Sequence, residues 1–200
     1  MTLVVATGNK GKLREIADIL DGLGIAIKTI ADFPGAPSPE EDGATYRDNV
    51  LIKARALRDF TGLAALADDT GLEVEALGGA PGLVSARYAG PDQDPLKNRS
   101  KLLAALARVP DEERGARFVC IIAVALPGGG EFTFDGECPG RITTKPRGSG
   151  GFGYDPIFFV PEHGMTMAEL DPAVKNRVSH RARALAKFRE AVATGAVSGF

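Results

Sequence analysis

The sequence predicts an α/β fold built on a mixed β-sheet. An apolar run is followed by a helical pattern in "VVATGNKGKLREIADIL" (residues 4–20), which is the alternation typical of parallel strands joined by helices. Two later apolar runs within residues 116–137 are separated by the turn "PGGG", so their strands form an antiparallel hairpin. Parallel strands combined with a hairpin make the predicted sheet mixed.

Length and composition indicate a single globular domain over residues 1–200, with 44% hydrophobic and 25% charged residues. The net charge of −2 gives no general attraction to nucleic acid or to anionic membranes, so neither is expected as a partner. The amino terminus lacks a basic signal region, and no apolar run reaches the roughly 18 residues of a membrane span. A cytoplasmic protein is therefore expected. Cys120 and Cys138 lack disulfide or metal-ligand spacing and are expected to be free thiols.

The first helix is predicted over residues 11–21, because its apolar residues recur at helical spacing. The turn before it, residues 7–12, is not a Walker loop, since its glycines are too close together. Unpaired amides, the positive end of the helix dipole, and Lys10 or Lys12 would nevertheless suit a triphosphate. An ordinary strand-to-helix turn is an equally good interpretation.

A second strand is predicted in "IAIKTI" (residues 25–30), followed by a proline-rich loop that ends in an acidic cluster containing Glu41. The next helix, over residues 45–60, carries Lys53 on a polar face beside its apolar stripe. The third strand, residues 62–71, ends in Asp68, Asp69 and Thr70. Carboxylates are thus expected at a strand's carboxyl end, where open α/β sheets bind ligands.

The remaining elements are a helix over residues 96–106, the hairpin continuing through "GRITT" (residues 140–144), and a final helix. Ser179 is predicted to cap that last helix. Its first turn would then hold His180 and Arg181, away from a buried side that begins at Ala182. The predicted buried side consists of Ala182, Leu185, Ala186, Phe188 and Val192.

Asp68 and Asp69 are neighbours, so in a regular strand their side chains point to opposite faces and are expected to have different roles. A strand-end carboxylate together with Glu41 can hold Mg²⁺, which prefers a few carboxylates, waters and phosphate oxygens. The alternative for either aspartate is a cap on the turn at Gly71. Lys53 could neutralise bound phosphate, or simply cover the core with its stem.

Two further groups could bind a nucleotide. "GSGGFGYDP" (residues 148–156) places Phe152 on a glycine-flanked loop, where it could stack on a base or belong to the core. His180 and Arg181 lie at a helix start, where the dipole disfavours positive charge, so a bound acceptor would explain them. A solvated basic face is the alternative.

Taken in order, five segments closely resemble the inosine/xanthosine triphosphate pyrophosphatases. They are "ATGNKGKLREI", "EEDGATYRDNVLIKARA", "ADDTGLEVEALGGAPGLVSARYAG", "GGFGYDPIFF" and "SHRARAL". The resemblance implies a long mixed sheet with helices on both faces and two lobes around a central nucleotide cleft. It also implies a homodimer that requires Mg²⁺ and converts ITP, dITP or XTP to the monophosphate and pyrophosphate.

The resemblance assigns a role to each matching residue. Glu41 and Asp69 would hold the metal, Asp69 would also accept a proton, and Asp68 and Lys53 would support catalysis. Phe152 would lie against the base. The phosphates would be held by Thr7, Gly8, Asn9, Lys10, Gly11 and Lys12, and the other substrate contacts would be Thr70, Phe152, Gly153, Tyr154, Asp155, Lys175, His180 and Arg181.

Specificity follows from hydrogen bonding under this assignment. A 6-oxo purine presents an acceptor where adenine presents an amine, so a donor such as Arg181, with His180, would favour hypoxanthine over adenine. Two other functions fit the residues less well: a pyrophosphatase for other modified nucleotides, and a nucleotide-binding protein without turnover. The second would be expected to lack a metal carboxylate or Lys53, and the sequence retains both.

Overall fold

The computed structural model describes residues 2–197; Met1 and residues 198–200 of the predicted domain lie outside the described residues. The α-helices are α1 (Lys10–Leu20), α2 (Tyr46–Thr61), α3 (Pro95–Ala105), α4 (Pro172–Val178) and α5 (His180–Ala193). The strands are β1 (Thr2–Val5), β2 (Ala26–Thr29), β3 (Ala64–Val74), β4 (Pro81–Gly82), β5 (Gly115–Ala125), β6 (Glu131–Ile142), β7 (Phe158–Val160) and β8 (Met165–Thr166).

All of these strands belong to one sheet, in the order β2-β1-β3-β5-β6-β7-β8, with β4 paired to β3. β1 is parallel to both β2 and β3, whereas β7 is antiparallel to both β6 and β8. The predicted mixed α/β sheet is therefore confirmed. Its parallel part is where the helical connections occur, as expected for strands that cannot be joined by a tight turn.

The chain divides into two compact units. Of the described residues, the first unit comprises 2–69, 120–136 and 180–197, and the second comprises 70–119 and 137–179. Strands β3, β5 and β6 contribute residues to both units.

In the first unit, helices cover both faces of the sheet. Leu66 of β3 and Ile122 of β5 belong to a cluster with α1 and α5. The next residues along those strands, Ala67 and Ala123, pack instead with Val50 of α2. Side chains alternate between the faces of a strand, so one apolar run supplies both cores. The predicted helices on both faces are confirmed in this unit.

The second unit has its own core, in which α3 packs on the distal parts of the sheet. Leu102 of α3, Leu72 of β3 and Phe118 of β5 are buried in one cluster. Phe118 and Phe158 contact each other with ring centroids 4.4 Å apart. Tyr154 and Ile157 belong to the same cluster, so the segment around Asp155 is anchored in this core.

Several element boundaries differ from those predicted. β3 continues to Val74, so the two aspartates lie within the strand, because its distal half gains antiparallel pairing from β4. α4 was not predicted. On α5, Ala184 is buried and Ala186 is exposed, the reverse of the expected pattern. Cys120 and Cys138 are buried thiols that form no disulfide, as expected. Across residues 2–197, no helix has both the length and the hydrophobicity needed to cross a membrane.

Candidate active site

Strand β3 places Asp68 and Asp69 on opposite faces of the sheet. Asp68 contacts α1 and α5, whereas Asp69 contacts α2, as the alternation of side chains along a strand predicts. β1 pairs with β3 only up to the Val5 and Leu66 partners, so both aspartates follow the carboxyl end of that parallel pairing. The two aspartates therefore lie where open α/β sheets bind ligands, as expected, although β3 itself continues beyond them.

Asp68 lies in a buried, positively charged environment. Its Oδ2 is 2.9 Å from Lys12 Nζ and 3.0 Å from Arg181 Nη2. Burial alone would raise the pKa of Asp68, but Lys12 and Arg181 together hold this pKa well below its ordinary value. Asp68 is therefore ionised and serves as a fixed anchor for the two cations.

Arg181 is fully buried and has carboxylates at two of its edges. Its Nε and Nη2 donate to Asp68, and its Nη1 donates to Glu15 Oε2 at 2.5 Å. The expectation that His180 and Arg181 lie off the buried side of the helix was wrong, since both are buried. Asp68 and Glu15 accept the hydrogen bonds of Arg181 for which the sequence had predicted a bound acceptor.

Asp69 lies in a different environment, with a lysine that it shares with Glu41. Lys53 Nζ is 3.4 Å from Asp69 Oδ1 and 3.3 Å from Glu41 Oε2, and it donates to the Asp68 carbonyl oxygen at 3.0 Å. Burial raises the pKa of Asp69, and the charge of Glu41 adds to the rise, while Lys53 opposes it. Adjacent carboxylates therefore have pKa values displaced in opposite directions.

The loop bearing Glu41 is held on the first turn of α2. Thr45 and Asp48 form a reciprocal capping box there. The Gly43 amide donates to Asn49 Oδ1 at 2.8 Å, and a Cβ at Gly43 would lie 2.6 Å from Asp48 Cβ. Only glycine permits this approach, which holds Glu41 near Lys53.

The turn over residues 7–12 is organised by its own side chains. Asn9 Oδ1 caps α1 by accepting from the amides of Gly11 at 2.9 Å and Lys12 at 3.2 Å, and Thr7 Oγ1 accepts from the Asn9 amide. The expectation of unpaired amides was therefore wrong for Gly11 and Lys12. Gly8, Asn9 and Lys10 are exposed, so side chains of this turn are accessible to an anion.

The second unit has a cluster around Asp155. The Asp155 carboxylate is buried, lies 2.6 Å from Lys175 Nζ, and accepts from the Phe152 amide at 2.8 Å. Lys175 Nζ also lies 4.7 Å from the centre of the Phe152 ring. A Cβ at Gly151 would lie 2.1 Å from Asp155 Oδ2, so the glycine is needed for this cluster.

Tyr154 and Gly153 are held by residues that were not predicted. The Tyr154 hydroxyl donates to the Ser85 carbonyl oxygen at 2.8 Å, and burial raises the pKa of Tyr154 well above its ordinary value. Arg99 donates to the Gly153 carbonyl oxygen at 2.6 Å. Both contacts join residues far apart in the chain, so no local pattern indicates them.

Thr70, the predicted substrate contact that follows the two aspartates on β3, is half-buried.

Glu15 is a further residue that was not predicted. It is buried on α1, where its partner is Arg181, although helical spacing places it away from the predicted stripe that begins at Leu13, so the local pattern does not indicate its burial. The first unit thus joins several of the predicted residues directly, namely Lys12, Glu41, Lys53, Asp68, Asp69 and Arg181. The second unit joins Phe152, Asp155 and Lys175.

Glu41 and Asp69 offer the oxygen donors that a hard divalent cation prefers. Their carboxylates approach the same ammonium group of Lys53, so a positive charge already stabilises the pair. Within residues 2–197 no group of three histidine, cysteine or acidic residues has a metal-binding arrangement. The pair therefore fits a cation that completes its coordination with water and phosphate oxygens.

The Ham1 family model matches residues 3–191. A dITP/XTP pyrophosphatase of Geobacter sulfurreducens is 57% identical over 188 residues, covering 94% of each chain. A protein of the same name from Haemophilus influenzae is 50% identical over 189 residues, covering 94% of this chain and 96% of that protein.

Solved structures show the same fold. A HAM1 protein from Coxiella burnetii superposes with a TM-score of 0.88 at 41% identity, covering 97% of this chain and 99% of that one. A nucleoside-triphosphatase, dITP/XTP pyrophosphatase, from Mycobacterium abscessus gives a TM-score of 0.75 at 45% identity, covering 94% and 98%. The family model spans residues of both compact units and every residue of the candidate site, and the chain belongs to the Ham1 family.

Proposed function

We propose that this protein hydrolyses deaminated purine nucleoside triphosphates, ITP, dITP and XTP, to the monophosphate and pyrophosphate. The relatives named dITP/XTP pyrophosphatase support this substrate class. The observation that carries the chemistry is the pair of adjacent aspartates on β3, one held ionised and the other shifted towards neutrality. Carboxylates with pKa values displaced in opposite directions are typical of sites that assign them separate roles.

Glu41 and Asp69 would hold a divalent cation, which we propose is Mg²⁺ and which would offset phosphate charge when bound. Lys12 and Lys53 would also offset the negative charge of the phosphates. Lys12 is fixed by Asp68, and Lys53 by the Asp68 carbonyl oxygen and Asp69. Preorganised cations of this kind stabilise the charge that develops during phosphoryl transfer without moving.

Asp69 is the proposed proton acceptor. A water oriented by its carboxylate forms a new bond to the α-phosphorus, while the bond from that phosphorus to the bridging oxygen of the β-phosphate breaks. The water proton passes to Asp69, and the bond electrons leave with pyrophosphate. Asp68 is unsuited to this role, because Lys12 and Arg181 stabilise its ionised form.

The proposed phosphate contacts are the residues of the 7–12 turn. The proposed contacts to the rest of the substrate are Thr70, His180, Arg181 and the second-unit residues Phe152, Gly153, Tyr154, Asp155 and Lys175. Arg181 is proposed to donate to the 6-oxo group as well as to Asp68 and Glu15, because a guanidinium carries five N–H donors. We further propose that the two units act as one domain, and that the protein is a cytoplasmic homodimer.

The test is pyrophosphate release from ITP, XTP, dITP, GTP and ATP, with Mg²⁺ and with a chelator. We expect metal-dependent release from the first three and almost none from GTP or ATP. Asp69→Asn should lower kcat by about 10² or more, the contribution typical of general base catalysis. Glu41→Gln should raise the Mg²⁺ concentration required, whereas the neighbouring exposed Asp42→Asn is the matched control and should not.

Full turnover by Asp69→Asn would refute its role as proton acceptor. Equal cleavage of all five nucleotides would agree with the proposed reaction but would refute base recognition by Arg181. Cleavage of other modified nucleotides in preference to ITP and XTP would favour a different pyrophosphatase specificity. Binding of ITP without cleavage would favour a nucleotide-binding protein.

A further inference from the structure

A polar cavity, separate from the residues assigned above, lies in the second unit beside the end of β6. Its volume is about 190 Å³. The long charged side chains that line it are mainly cationic. The lining residues include Asp111, Arg141, Thr144, Lys145, Arg147 and Phe159.

The two arginines are held in place by one aromatic ring. Arg141 of β6 lies directly across from Phe159 of β7 in the strand register, and its guanidinium carbon is 4.6 Å from the ring centre. The guanidinium carbon of Arg147 is 5.4 Å from the same ring. A guanidinium that stacks on a ring uses its flat face and keeps its N–H edges available for an anion.

The loop that carries Lys145 and Arg147 is fixed by hydrogen bonds at both ends. The Thr143 amide donates to the Ile157 carbonyl oxygen at 2.9 Å, and the Arg147 amide donates to the Pro156 carbonyl oxygen at 2.8 Å. The Thr143 hydroxyl also donates to the Lys145 carbonyl oxygen at 2.9 Å. The cations are therefore presented on ordered backbone, which reduces the entropy cost of binding.

Positive charge exceeds negative charge in this cavity. Within residues 2–197, neither Arg141 nor Lys145 has a carboxylate oxygen within 4.0 Å, and Arg147 is 3.4 Å from Glu169. The Asp111 carboxylate is 68% exposed and lies 3.6 Å from Arg114. By contrast, Arg55 and Arg117, which are exposed elsewhere on the protein, lie 2.6 Å and 2.8 Å from carboxylates.

We propose that this cavity binds the phosphate group of a small anion. Two arginine edges, an ammonium group and the Thr144 hydroxyl supply charge and donors of the kind that recognise phosphate oxygens. Inorganic phosphates and phosphate monoesters share this chemistry. The proposal does not depend on the hydrolytic function, because none of its residues belongs to the candidate active site.

The test is a titration of the full-length ¹⁵N-labelled protein, followed by amide chemical shifts at constant ionic strength. The probes are inorganic phosphate, inorganic pyrophosphate and IMP. We expect saturable shifts at the amides of Thr143, Thr144 and Lys145, separate in their concentration dependence from any shifts at residues 7–12. Tighter binding of IMP would identify a monoester as the ligand, and tighter binding of the inorganic probes would identify a free phosphate; either supports the site.

The variant Arg141→Gln/Arg147→Gln should weaken binding at the 143–145 amides by about tenfold or more, since two charge-assisted contacts are lost. Arg87→Gln is the control, because Arg87 is an exposed arginine of the same unit that does not line the cavity. The proposal is overturned if no probe gives saturable shifts at these amides, or if the shifts persist unchanged in the double variant.

Discussion

Asp68 and Asp69 are adjacent residues of the same type, but two cations contact the Asp68 carboxylate and only Lys53 contacts the Asp69 carboxylate among the described ion pairs. Asp68 has Lys12 and Arg181 at 2.9 Å and 3.0 Å, whereas Lys53 is shared between Asp69 at 3.4 Å and Glu41 at 3.3 Å. Folding stabilises the ionised form of Asp68 and destabilises the ionised form of Asp69. Structural and chemical roles are thereby separated on consecutive residues.

This contrast predicts that two matched substitutions differ in their effect on stability. Asp68→Asn should lower the free energy of unfolding by about 3 kcal/mol, because it removes one of the two carboxylates that compensate the charge of buried Arg181. Asp69→Asn should cause no such loss at neutral pH, because it removes a carboxylate whose ionised form folding disfavours. Urea unfolding of both variants without metal measures the difference. Equal losses would contradict the electrostatic separation.

The raised pKa of Asp69 also predicts a pH dependence. The folded state prefers protonated Asp69, so its contribution to stability is present below the ordinary value of 3.8 and is lost as pH rises through the folded pKa. Asp69→Asn lacks this loss. The stability of the variant relative to wild type should therefore increase from about pH 4 to about pH 7 in metal-free buffer. A relative stability that stays constant or falls over this range would show that the pKa is not raised.

At the scale of elements, the start of α5 depends on its close approach to β6. A Cβ at Gly136 would lie 2.1 Å from the His180 carbonyl oxygen and 2.5 Å from the Ala184 nitrogen. The first turn of α5 therefore packs directly against the backbone of Gly136. This turn carries both His180 and Arg181. The helix position that brings Arg181 to Asp68 is set by a residue in another element.

Gly136→Ala should consequently destabilise the protein by about 2 kcal/mol or more, the usual cost of overpacking against rigid backbone. It should also impair ITP hydrolysis by displacing Arg181. Gly128→Ala is the control, because a Cβ at Gly128 meets nothing within 4 Å. Thermal unfolding and ITP turnover of both variants provide the measurement. Wild-type stability in Gly136→Ala would show that α5 can shift without cost.

At the scale of the whole molecule, substrate binding should stabilise the folded chain only when metal is present. A ligand at 100 times its Kd adds about 2.7 kcal/mol to the free energy of unfolding. We expect an α,β-imido analogue of ITP with Mg²⁺ to raise Tm, and the ATP counterpart to have little effect. A chelator should remove most of the rise, because Glu41 and Asp69 would then face the phosphates uncompensated. A rise of the same size with chelator would argue against a metal at these carboxylates.

Much of this protein was predictable from local patterns. Helical spacing predicted α1, α2 and α3 to within a residue, the predicted cap at Ser179 placed the start of α5, and the glycine turn predicted the hairpin, because these signals depend on neighbouring residues alone. The alternation along β3 likewise placed Asp68 and Asp69 on opposite faces before any contact was known. The motif resemblance named the family, which the family match confirms.

Long-range contacts decided the rest. The extension of β3 to Val74 depends on pairing with β4, and the burial of Arg181 depends on Glu15, which is 166 residues away in the chain. The displaced pKa values arise only when Lys12, Lys53 and Arg181 converge on the two aspartates. The sequence by itself determined which chemical groups are present and, along β3, the faces of the strand on which the two aspartates lie. Tertiary structure alone decided which charges meet, since Coulomb energies depend on distance and burial and not on order along the chain.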